Sequence, residues 1–212
     1  MAKIIGRKQE VEELLRLYNR PESQLVTVRG RRRVGKSFLV DEAFRGKIVF
    51  NAVGVYIDEK ELDGQSYRQK QLSHFYSSLL DYGLPAGTPK PMSWEEAFRL
   101  LRQIISKKRN KRKVIFLDEL PWMAGLQSSE FVSELGHFWN YWACKQRNIV
   151  LVVCGSATSW MLDNVIHDYG GLHGRLTDKF QLFPFTLKEC EEYFKLHNFR
   201  MSRYEIALSY MV

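Results

Sequence analysis

Residues 28–39 read VRGRRRVGKSFL, a stretch that places three arginines between two glycines and ends in a lysine and a serine before the apolar pair. Gly30–Ser37 matches the pattern GxxxxGK[ST], which is typical of loops that cradle phosphates. With average residue usage, this pattern arises by chance in roughly one chain in a hundred of this length. The β-branched run Gln24–Val28 predicts a buried strand before the loop, and the spacing of Leu39 and Ala43 predicts a helix after it. We therefore interpret the stretch as a nucleotide site at a strand-to-helix turn.

The residue types in this loop suit a triphosphate. Glycines let the backbone turn tightly and bring its N–H groups close to phosphate oxygens. The N-terminus of the following helix adds unpaired donors and a favourable dipole. Lys36 would reach the β- and γ-phosphates, and Ser37 would ligate Mg²⁺. The predicted binding set is Gly30, Arg31, Arg32, Arg33, Val34, Gly35, Lys36, Ser37 and Phe38. Whether the three arginines are solvated, pair with acids or contact a partner's phosphates is left open.

An acidic pair ends the run KVIFLDE, Lys113–Glu119. Its continuous apolar part is typical of a strand covered on both faces, as in a parallel sheet. Carboxylates directly after such a strand have the form of a Walker B segment. Asp118 would hold Mg²⁺ through water, and Glu119 would polarise the attacking water as general base. The chain lacks the NKxD motif expected of a GTPase, and the acidic pair favours water over the acceptor of a small-molecule kinase.

Gly155 and Ser156 end another apolar run, NIVLVVCGS, which we expect to lie beside the first and third strands. There Ser156, together with Thr158, would be placed to sense the γ-phosphate or the lytic water. A role for Ser156 as the N-cap of a helix over SATSWML is equally open, because serine is a favoured N-cap residue.

Apolar runs that predict strands alternate along the chain with segments at helical spacing. This alternation implies right-handed βαβ crossovers and a three-layer α/β/α sandwich around a mainly parallel, five-stranded P-loop NTPase sheet. Helices are also predicted after Ser93, which has capping-box spacing to Glu96, and over Phe131–Trp142, whose aromatic side chains are expected in the core. The predicted strands are Gln24–Val28, Lys47–Tyr56, Lys113–Glu119, Asn148–Ser156 and Asp178–Phe185.

Composition limits the classes of function. Of the 212 residues, 45% are hydrophobic and 26% are charged, which is ordinary for one globular domain. The 32 Lys and Arg against 24 Asp and Glu leave a net charge of +8, which favours anionic partners without selecting one. Much of the excess lies in the glycine-containing loop and in KKRNKRK, Lys107–Lys113. The second run is interpreted either as a solvated helix end or as a contact for nucleic acid.

Cysteine, histidine and terminal patterns exclude several alternatives. Cys144, Cys154 and Cys190 form no CxxC pair, which predicts reduced thiols in a cytoplasmic protein, with Cys154 as a small core residue. No HExxH motif occurs, so a zinc hydrolase is not expected. The N-terminus lacks the apolar stretch of a signal peptide, and no window approaches about 20 apolar residues, so no membrane partner is expected.

Five segments in this order resemble the archaeal-type ATPases of the STAND branch of P-loop NTPases, which are relatives of AAA+ proteins. The segments are IIGRKQEVEELLRLY from Ile4, GRRRVGKS from Gly30, VIFLDELPWM from Val114, LVVCGSATSWM from Leu151 and GGLHGRLTDKFQLFPFTLKECEEYF from Gly170. The resemblance covers nearly the whole chain, and five motifs in order are far more specific than any one of them.

The resemblance implies further site residues. The motif Ile4-Ile5-Gly6-Arg7 would lie near the nucleotide base, which adds Gly6 and Arg7 to the binding set. Arg175, in HGRLTDKF, resembles the arginine that follows the sensor strand and approaches the γ-phosphate of its own or a neighbouring subunit. Such an arginine would stabilise charge that develops during phosphoryl transfer. The alternative is an ordinary surface arginine after a glycine-rich turn.

The resemblance also implies a division of the chain and a function. Relatives usually continue into a helical lid or winged-helix region, whereas this chain stops at EIALSYMV. We therefore expect residues 1–185 to form the ATPase core and residues 186–212 to begin a truncated lid. The expected protein is a cytoplasmic ATPase that uses ATP and Mg²⁺ and hydrolyses ATP to ADP and phosphate to drive a conformational switch.

The motifs and the resemblance together predict a role for each residue of the site. The catalytic residues would be Lys36, Glu119, Ser156 and Arg175, and the metal ligands would be Ser37 and Asp118. The alternative function is a nucleotide-gated module that holds DNA or a protein partner with little hydrolysis. The sequence leaves open whether a homo-oligomer assembles around the nucleotide.

Overall fold

A five-stranded sheet forms the centre of the computed structural model, which describes residues 5–58, 60, 62, 64, 66–125, 129–167 and 170–211. The strands are β1 (Gln24–Arg29), β2 (Ile48–Val53), β3 (Lys113–Asp118), β4 (Ile149–Gly155) and β5 (Asp178–Gln181). Their order is β2-β3-β4-β1-β5, and all neighbouring pairs are parallel. The predicted parallel α/β sheet is therefore confirmed. Ile4, the first residue of the motif expected near the base, lies outside the described residues.

Helices cover both faces of this sheet. They are α1 (Lys8–Tyr18), α2 (Lys36–Ala43), α3 (Tyr67–Asp81), α4 (Trp94–Lys107), α5 (Leu120–Ala124), α6 (Ser129–Tyr141), α7 (Thr158–Met161), α8 (Leu187–Leu196) and α9 (Arg203–Met211). A 3₁₀ turn, Ala143–Gln146, follows α6, and a π turn, Leu162–Ile166, follows α7. In the part of the chain described, no helix is both long and apolar enough to cross a bilayer. α8 and α9 contact each other, and the expected division at residue 185 stays a prediction.

The cap of α4 differs from the predicted capping box. Ser93 Oγ accepts the Glu96 backbone N–H at 3.2 Å, as predicted. The Glu96 carboxylate, however, accepts the Met92 N–H at 2.8 Å, so the reciprocal bond is made one residue earlier. Complete capping boxes instead begin α3 at Ser66 and α8 at Thr186.

Two apolar cores lie on opposite faces of the sheet. Along β3, Ile115 and Leu117 belong to the core beneath α3, α4 and α6, whereas Val114 and Phe116 belong to the core beneath α1 and α2. Side chains of a strand alternate between faces, so a strand covered on both faces is apolar throughout. This is why KVIFLD reads as a continuous apolar run.

The aromatic side of α6 belongs to the core, as predicted. Phe131, Leu135 and Phe138 are buried. Phe98 of α4 packs against two of them, with its ring centroid 5.8 Å from Phe131 and 5.3 Å from Phe138. Trp142 lies just beyond the helix and is partly buried against the same core. These rings are therefore not available as a platform for bases.

β2 is shorter than predicted. It ends at Val53, and the chain then passes tightly against the start of α5. A Cβ at Gly54 would lie 2.6 Å from the Met123 backbone nitrogen, so only glycine fits this close approach. The predicted extension to Tyr56 is wrong, and Tyr56 is 62% exposed beyond the strand.

β5 is also shorter than predicted. It ends at Gln181, after which the Leu182 N–H donates to the Arg29 carbonyl at 2.8 Å. Pro184 has no N–H with which to continue a ladder. The predicted extension to Phe185 is wrong. β1, β3 and β4 end within one residue of their predicted bounds.

Candidate nucleotide site

Three strand ends meet at the carboxyl edge of the sheet. Because β4 lies between β1 and β3, the Gly30–Ser37 loop, the Asp118–Glu119 pair and Ser156 follow neighbouring strands. The predicted position of the Gly155–Ser156 segment beside the first and third strands is therefore confirmed. Open parallel sheets bind their ligands at this edge, which makes these side chains the candidate site.

The loop enters α2 through Gly35. This residue has φ 86° and ψ 26°, a left-handed conformation that other side chains rarely adopt, so a glycine is required directly before the helix. Lys36 is the first residue of α2. The first backbone N–H groups of a helix have no intrahelical partner, and here they open toward the loop. The turn thus presents donors that suit an anion.

Lys36 is buried inside this turn. The side chain is only 5% exposed, and its Nζ donates to the Arg31 carbonyl oxygen at 2.9 Å. The ammonium therefore has one bond to the loop backbone and retains two further donors. A phosphate in the loop would compete with the Arg31 carbonyl for this group.

Ser37 and Asp118 come together from α2 and β3. Ser37 Oγ donates to Asp118 Oδ2 at 2.5 Å, while Asp118 Oδ1 accepts the Glu119 N–H at 2.8 Å. Hydroxyl and carboxylate oxygens are the ligands that Mg²⁺ prefers. Within the described residues, no group of three His, Cys, Asp or Glu side chains could hold a metal. The pair thus fits a Mg²⁺ that takes its remaining ligands from water and phosphate, as Mg²⁺ commonly does.

Asp41 is a nearby carboxylate that sequence reasoning missed. It lies one helical turn after Ser37 on α2, so the two residues share a face. Burial raises the pKa of Asp41, and the charge of Asp118 raises it further. The i,i+4 spacing from Ser37 was the available signal. Two carboxylates close enough to repel each other make the site more favourable for a cation.

Glu119 contacts Ser156 across the strand ends. Glu119 Oε2 accepts the Ser156 hydroxyl at 2.9 Å and the Ser156 backbone N–H at 3.2 Å. The N-cap of α7 is Ala157, which makes no side-chain cap, so the alternative role of Ser156 as an N-cap is wrong. Glu119 itself has φ 47° and ψ 50°, a left-handed conformation that is uncommon outside glycine. Such strain concentrates at functional sites.

The loop arginines differ in their surroundings. Arg31, Arg32 and Arg33 are all exposed. The Arg32 guanidinium lies 5.3 Å from the centroid of Trp122 in α5, which is a cation–π distance. Trp122 in turn meets Tyr56 edge to face at 5.0 Å. Sequence reasoning assigned neither aromatic residue to the site, although Trp122 belongs to the segment VIFLDELPWM and Tyr56 ends the predicted second strand.

An apolar cavity of about 520 Å³ lies beside the loop. It is lined by residues from the N-terminal motif, the loop, α2, the segment after β5, and α8. They are Ile5, Arg7, Val34, Gly35, Phe38, Leu39, Phe185, Tyr193, Leu196 and His197. Phe38 is half-exposed toward it. Aromatic walls with a few polar groups are typical of a cofactor pocket.

Arg7 holds one wall of this cavity together. Its guanidinium donates to the Phe183 carbonyl and, at 3.4 Å, to the Val34 carbonyl, and it lies 5.2 Å from the centroid of Phe185. It also affects α8: partial burial raises the pKa of Glu189, but hydrogen bonds from Thr186 and the charge of Arg7 outweigh this and hold it below its ordinary value. Gly6 packs directly against the Glu189 side chain.

Arg175 does not lie near the Gly30–Ser37 loop of its own chain. The Thr177 N–H, two residues later, donates to the Leu25 carbonyl at 2.8 Å, near the first residue of β1. The loop follows the last residue of β1, so Arg175 lies at the opposite, amino edge of the sheet. Its side chain is exposed there. Contact with a γ-phosphate stays a prediction that needs a second subunit.

Cys154 is the thiol nearest to the acidic pair. The structure has three free cysteines, and Cys154 is buried in β4, as predicted for a core residue. Burial raises the pKa of this thiol well above its ordinary value, and the charge of Asp118 acts in the same direction. Both effects favour the thiol over the thiolate, as is typical of a buried structural cysteine.

Comparison with known families gives one match over most of the chain. The sequence model of a family described as an ATPase domain predominantly from Archaea matches residues 4–200. Comparison with curated proteins gives no significant match.

Solved structures with the same fold include a Walker-type ATPase and a protein in complexes with adenine nucleotides. The Walker-type ATPase PABY2304 of Pyrococcus abyssi aligns with a TM-score of 0.63 and 20% identity, over 97% of this chain and 62% of that one. The ORC2 protein of Aeropyrum pernix, in its ADPNP-ADP complexes, aligns with a TM-score of 0.57 and 15% identity, over 92% of this chain and 52% of that one. Its ADP form gives 0.56 and 15%, over 92% and 53%. At these identities the likeness establishes the fold, and the chain spans less than two thirds of either relative's length.

Proposed function

The chain belongs to the family of ATPase domains found predominantly in Archaea, and we propose that it binds ATP with Mg²⁺ and hydrolyses it to ADP and phosphate. The observation that carries the proposal is the paired contact at the strand ends. Asp118 bonds Ser37, and the next residue, Glu119, bonds Ser156. Each carboxylate thus has its own partner, and the proposal assigns each a separate role.

The metal side of the site is Ser37 and Asp118. These residues would hold Mg²⁺, directly and through water, and the bound ion would neutralise charge on the β- and γ-phosphates. Lys36 would exchange the Arg31 carbonyl for phosphate oxygens, and the N-terminus of α2 would add backbone donors. Together these groups would place positive charge beside the β-phosphate of the departing ADP, where negative charge develops as the bond to the γ-phosphate breaks.

The water side of the site is Glu119 and Ser156. A carboxylate that accepts a hydroxyl hydrogen bond is fixed in direction, so Glu119 can orient a water and accept its proton during attack. Ser156 would then act as a positioning residue. Arg175 would complete the charge stabilisation only if it came from a neighbouring subunit.

The base side of the site is the apolar cavity. Adenine would stack against its aromatic walls, beside Gly6 and Arg7. Because Tyr193 and Leu196 of α8, and His197 directly after it, form part of the lining, a bound base would hold α8 against the core. We propose that this coupling makes ATP binding and release a conformational switch.

The proposal is tested by Glu119→Gln, which keeps the shape of the side chain but removes the base. Steady-state hydrolysis should fall by at least about 100-fold, the scale of general-base catalysis. ATP affinity, measured by titration with Mg²⁺ present, should remain. Glu12→Gln, an exposed change on α1, is the matched control and should leave both quantities as in the wild type.

Equal turnover by the wild type and Glu119→Gln would show that Glu119 is not the base. Loss of ATP binding in Glu119→Gln would instead assign the residue a binding role. The alternative function, a nucleotide-gated module for DNA or protein, predicts tight ATP binding with turnover at background in the wild type itself.

A further inference from the structure

Besides the Gly30–Ser37 loop, a second cluster of positive charge lies at the amino edge of the sheet, opposite the nucleotide site. Three segments precede the neighbouring strands β2, β3 and β4: residues 45–47, 107–113 and 145–147. They contain two, six and two Lys or Arg residues and no acid. Ten of the 32 Lys and Arg residues of the chain therefore lie in these three short segments.

Part of this charge has a structural role. The Arg112 guanidinium donates to the Arg147 carbonyl at 2.8 Å and to the Glu22 carbonyl at 3.2 Å, which ties three loops together. Lys108 Nζ donates to the Tyr82 carbonyl at 2.8 Å, and Lys113 Nζ to the Ile105 carbonyl at 3.0 Å. Burial lowers the pKa of Arg112 and of Lys113. The sequence interpretation of the whole run as solvated is therefore wrong for these three residues.

Two of the other seven cations have partners: Arg45 pairs with Glu42, and Lys47 Nζ lies 5.1 Å from the centroid of the Tyr18 ring. The last five differ from these. Lys107, Arg109, Lys111, Lys145 and Arg147 are exposed, and within the described residues none of them forms an ion pair. We call these five residues the basic edge. The basic edge comes from two loops, residues 107–113 and 145–147. The hydrogen bond from Arg112 to the Arg147 carbonyl holds these loops side by side. The Lys113 N–H adds a second link, to the Asn148 carbonyl at 2.9 Å.

We infer that the basic edge binds the phosphate backbone of duplex DNA without reading its sequence. DNA carries one negative charge per about 1.7 Å of its axis, so several phosphates can meet five clustered cations at once. None of the exposed large apolar side chains of the described chain lies in the three segments, although one of them, Tyr141, meets Lys145, whose Nζ lies 5.4 Å from the ring centroid. Protein–protein interfaces rely on a cluster of aromatic or apolar anchors rather than on one ring. A duplex backbone therefore fits this surface better than an acidic protein does.

The position of the basic edge separates it from ATP chemistry. Nucleotide and DNA would bind at opposite ends of the same strands, so each can be present while the other is bound. Binding can thus be measured without nucleotide, and its outcome does not depend on whether the domain hydrolyses ATP.

The test compares two triple variants in fluorescence anisotropy with a labelled, mixed-sequence DNA duplex. Arg109→Glu/Lys111→Glu/Lys145→Glu alters the basic edge. The matched control, Lys179→Glu/Lys188→Glu/Arg200→Glu, alters exposed cations elsewhere and changes net charge equally. The first should weaken binding at least about tenfold and reduce the slope of log affinity against log salt by up to about 2.7, since each phosphate contact contributes about 0.9. The control should retain both the slope and most of the affinity.

Three outcomes would overturn the inference. Equal loss in both variants would show that only net charge matters. No salt-dependent binding by the wild type at low salt would show that the surface binds no duplex. Polyglutamate or phosphatidylserine vesicles bound as tightly, and with the same dependence on the three residues, would assign the edge to an acidic protein or a membrane. Unchanged thermal midpoints in both variants check that folding is intact.

Discussion

The two edges of the sheet use positive charge in opposite ways. At the carboxyl edge, next to the exposed loop arginines, Lys36 is buried and bonds the Arg31 carbonyl. Asp118 bonds Ser37 and Glu119 bonds Ser156, so each of these three charged side chains has a defined partner. At the amino edge, the five residues of the basic edge are exposed, and none of them pairs with a carboxylate of the residues that the structure describes. The first arrangement suits a small ligand with fixed geometry. The second suits an extended anion whose contacts need not be exact.

Lys36→Ala should have the largest effect, and it should act at the carboxyl edge alone. Loss of a charge-assisted contact to phosphate costs about 3 kcal/mol, so ATP affinity should fall about 100-fold. DNA affinity should stay unchanged, because the basic edge lies at the other end of the strands. Isothermal titration with ATP and Mg²⁺, and anisotropy with the duplex, measure the two effects on one sample.

Lys179→Ala is the control for this change, since it removes an exposed lysine from β5. It should alter neither affinity noticeably. If Lys36→Ala weakened both ligands alike, the two edges would not be independent, and DNA would have to contact the nucleotide site.

Sequence reasoning found the carboxyl edge because its chemistry depends on short motifs. A left-handed turn needs Gly35, a buried strand needs an unbroken apolar run, and the end of that run identifies Asp118 and Glu119. Strand alternation then sufficed for a parallel sheet and for the place of Ser156 beside the loop. These features are local, or follow from few topological rules.

The contacts that sequence reasoning missed depend on the packing of distant segments. Nothing near Trp122 indicates that Arg32 lies over its ring, and the run Lys107–Lys113 gives no sign of which cations bind carbonyls. The ends of β2 and β5 were missed because residues 54–56 and 182–185, which follow these strands, are mostly apolar. These residues no longer belong to a strand, and they lie beside the candidate site instead. The sequence gives the number of charged residues in a segment, whereas only the structure shows which of them bind backbone carbonyls and which are exposed to solvent.

Arg112→Ala sharpens the comparison at the amino edge. It would leave the carbonyls of Arg147 and Glu22 without their donor, which should destabilise the fold by about 1–3 kcal/mol. Urea unfolding measures this as a lower midpoint at an unchanged slope. Arg109→Ala, three residues earlier and exposed, should stay within about 0.5 kcal/mol of the wild type.

The two arginines should therefore separate stability from binding. Arg109→Ala should weaken the binding of DNA and leave the urea unfolding midpoint unchanged. Arg112→Ala should lower the unfolding midpoint. Equal midpoints for the two variants would contradict a structural role for Arg112.

Asp41→Asn is the mildest change, and it acts at the carboxyl edge. The pKa of Asp41 is raised above its ordinary value of 3.8, first by burial and then by the charge of Asp118. The folded state thus holds this proton more tightly than the unfolded state does. Ionisation therefore costs stability above the folded pKa, and this cost fades as the pH falls through that pKa toward 3.8.

Asp41→Asn should accordingly raise the thermal midpoint at neutral pH, and the gain should shrink on acidification and in high salt. Because the Asp41 carboxyl is only partly buried and the residue as a whole is exposed to solvent, screening keeps the gain below about 0.5 kcal/mol. Asp163→Asn, an exposed change in the π turn, is the comparison variant. A gain that did not shrink with acid would show that the carboxylates of Asp41 and Asp118 do not repel each other, and the acidic character assigned to this edge would rest on Asp118 and Glu119 alone.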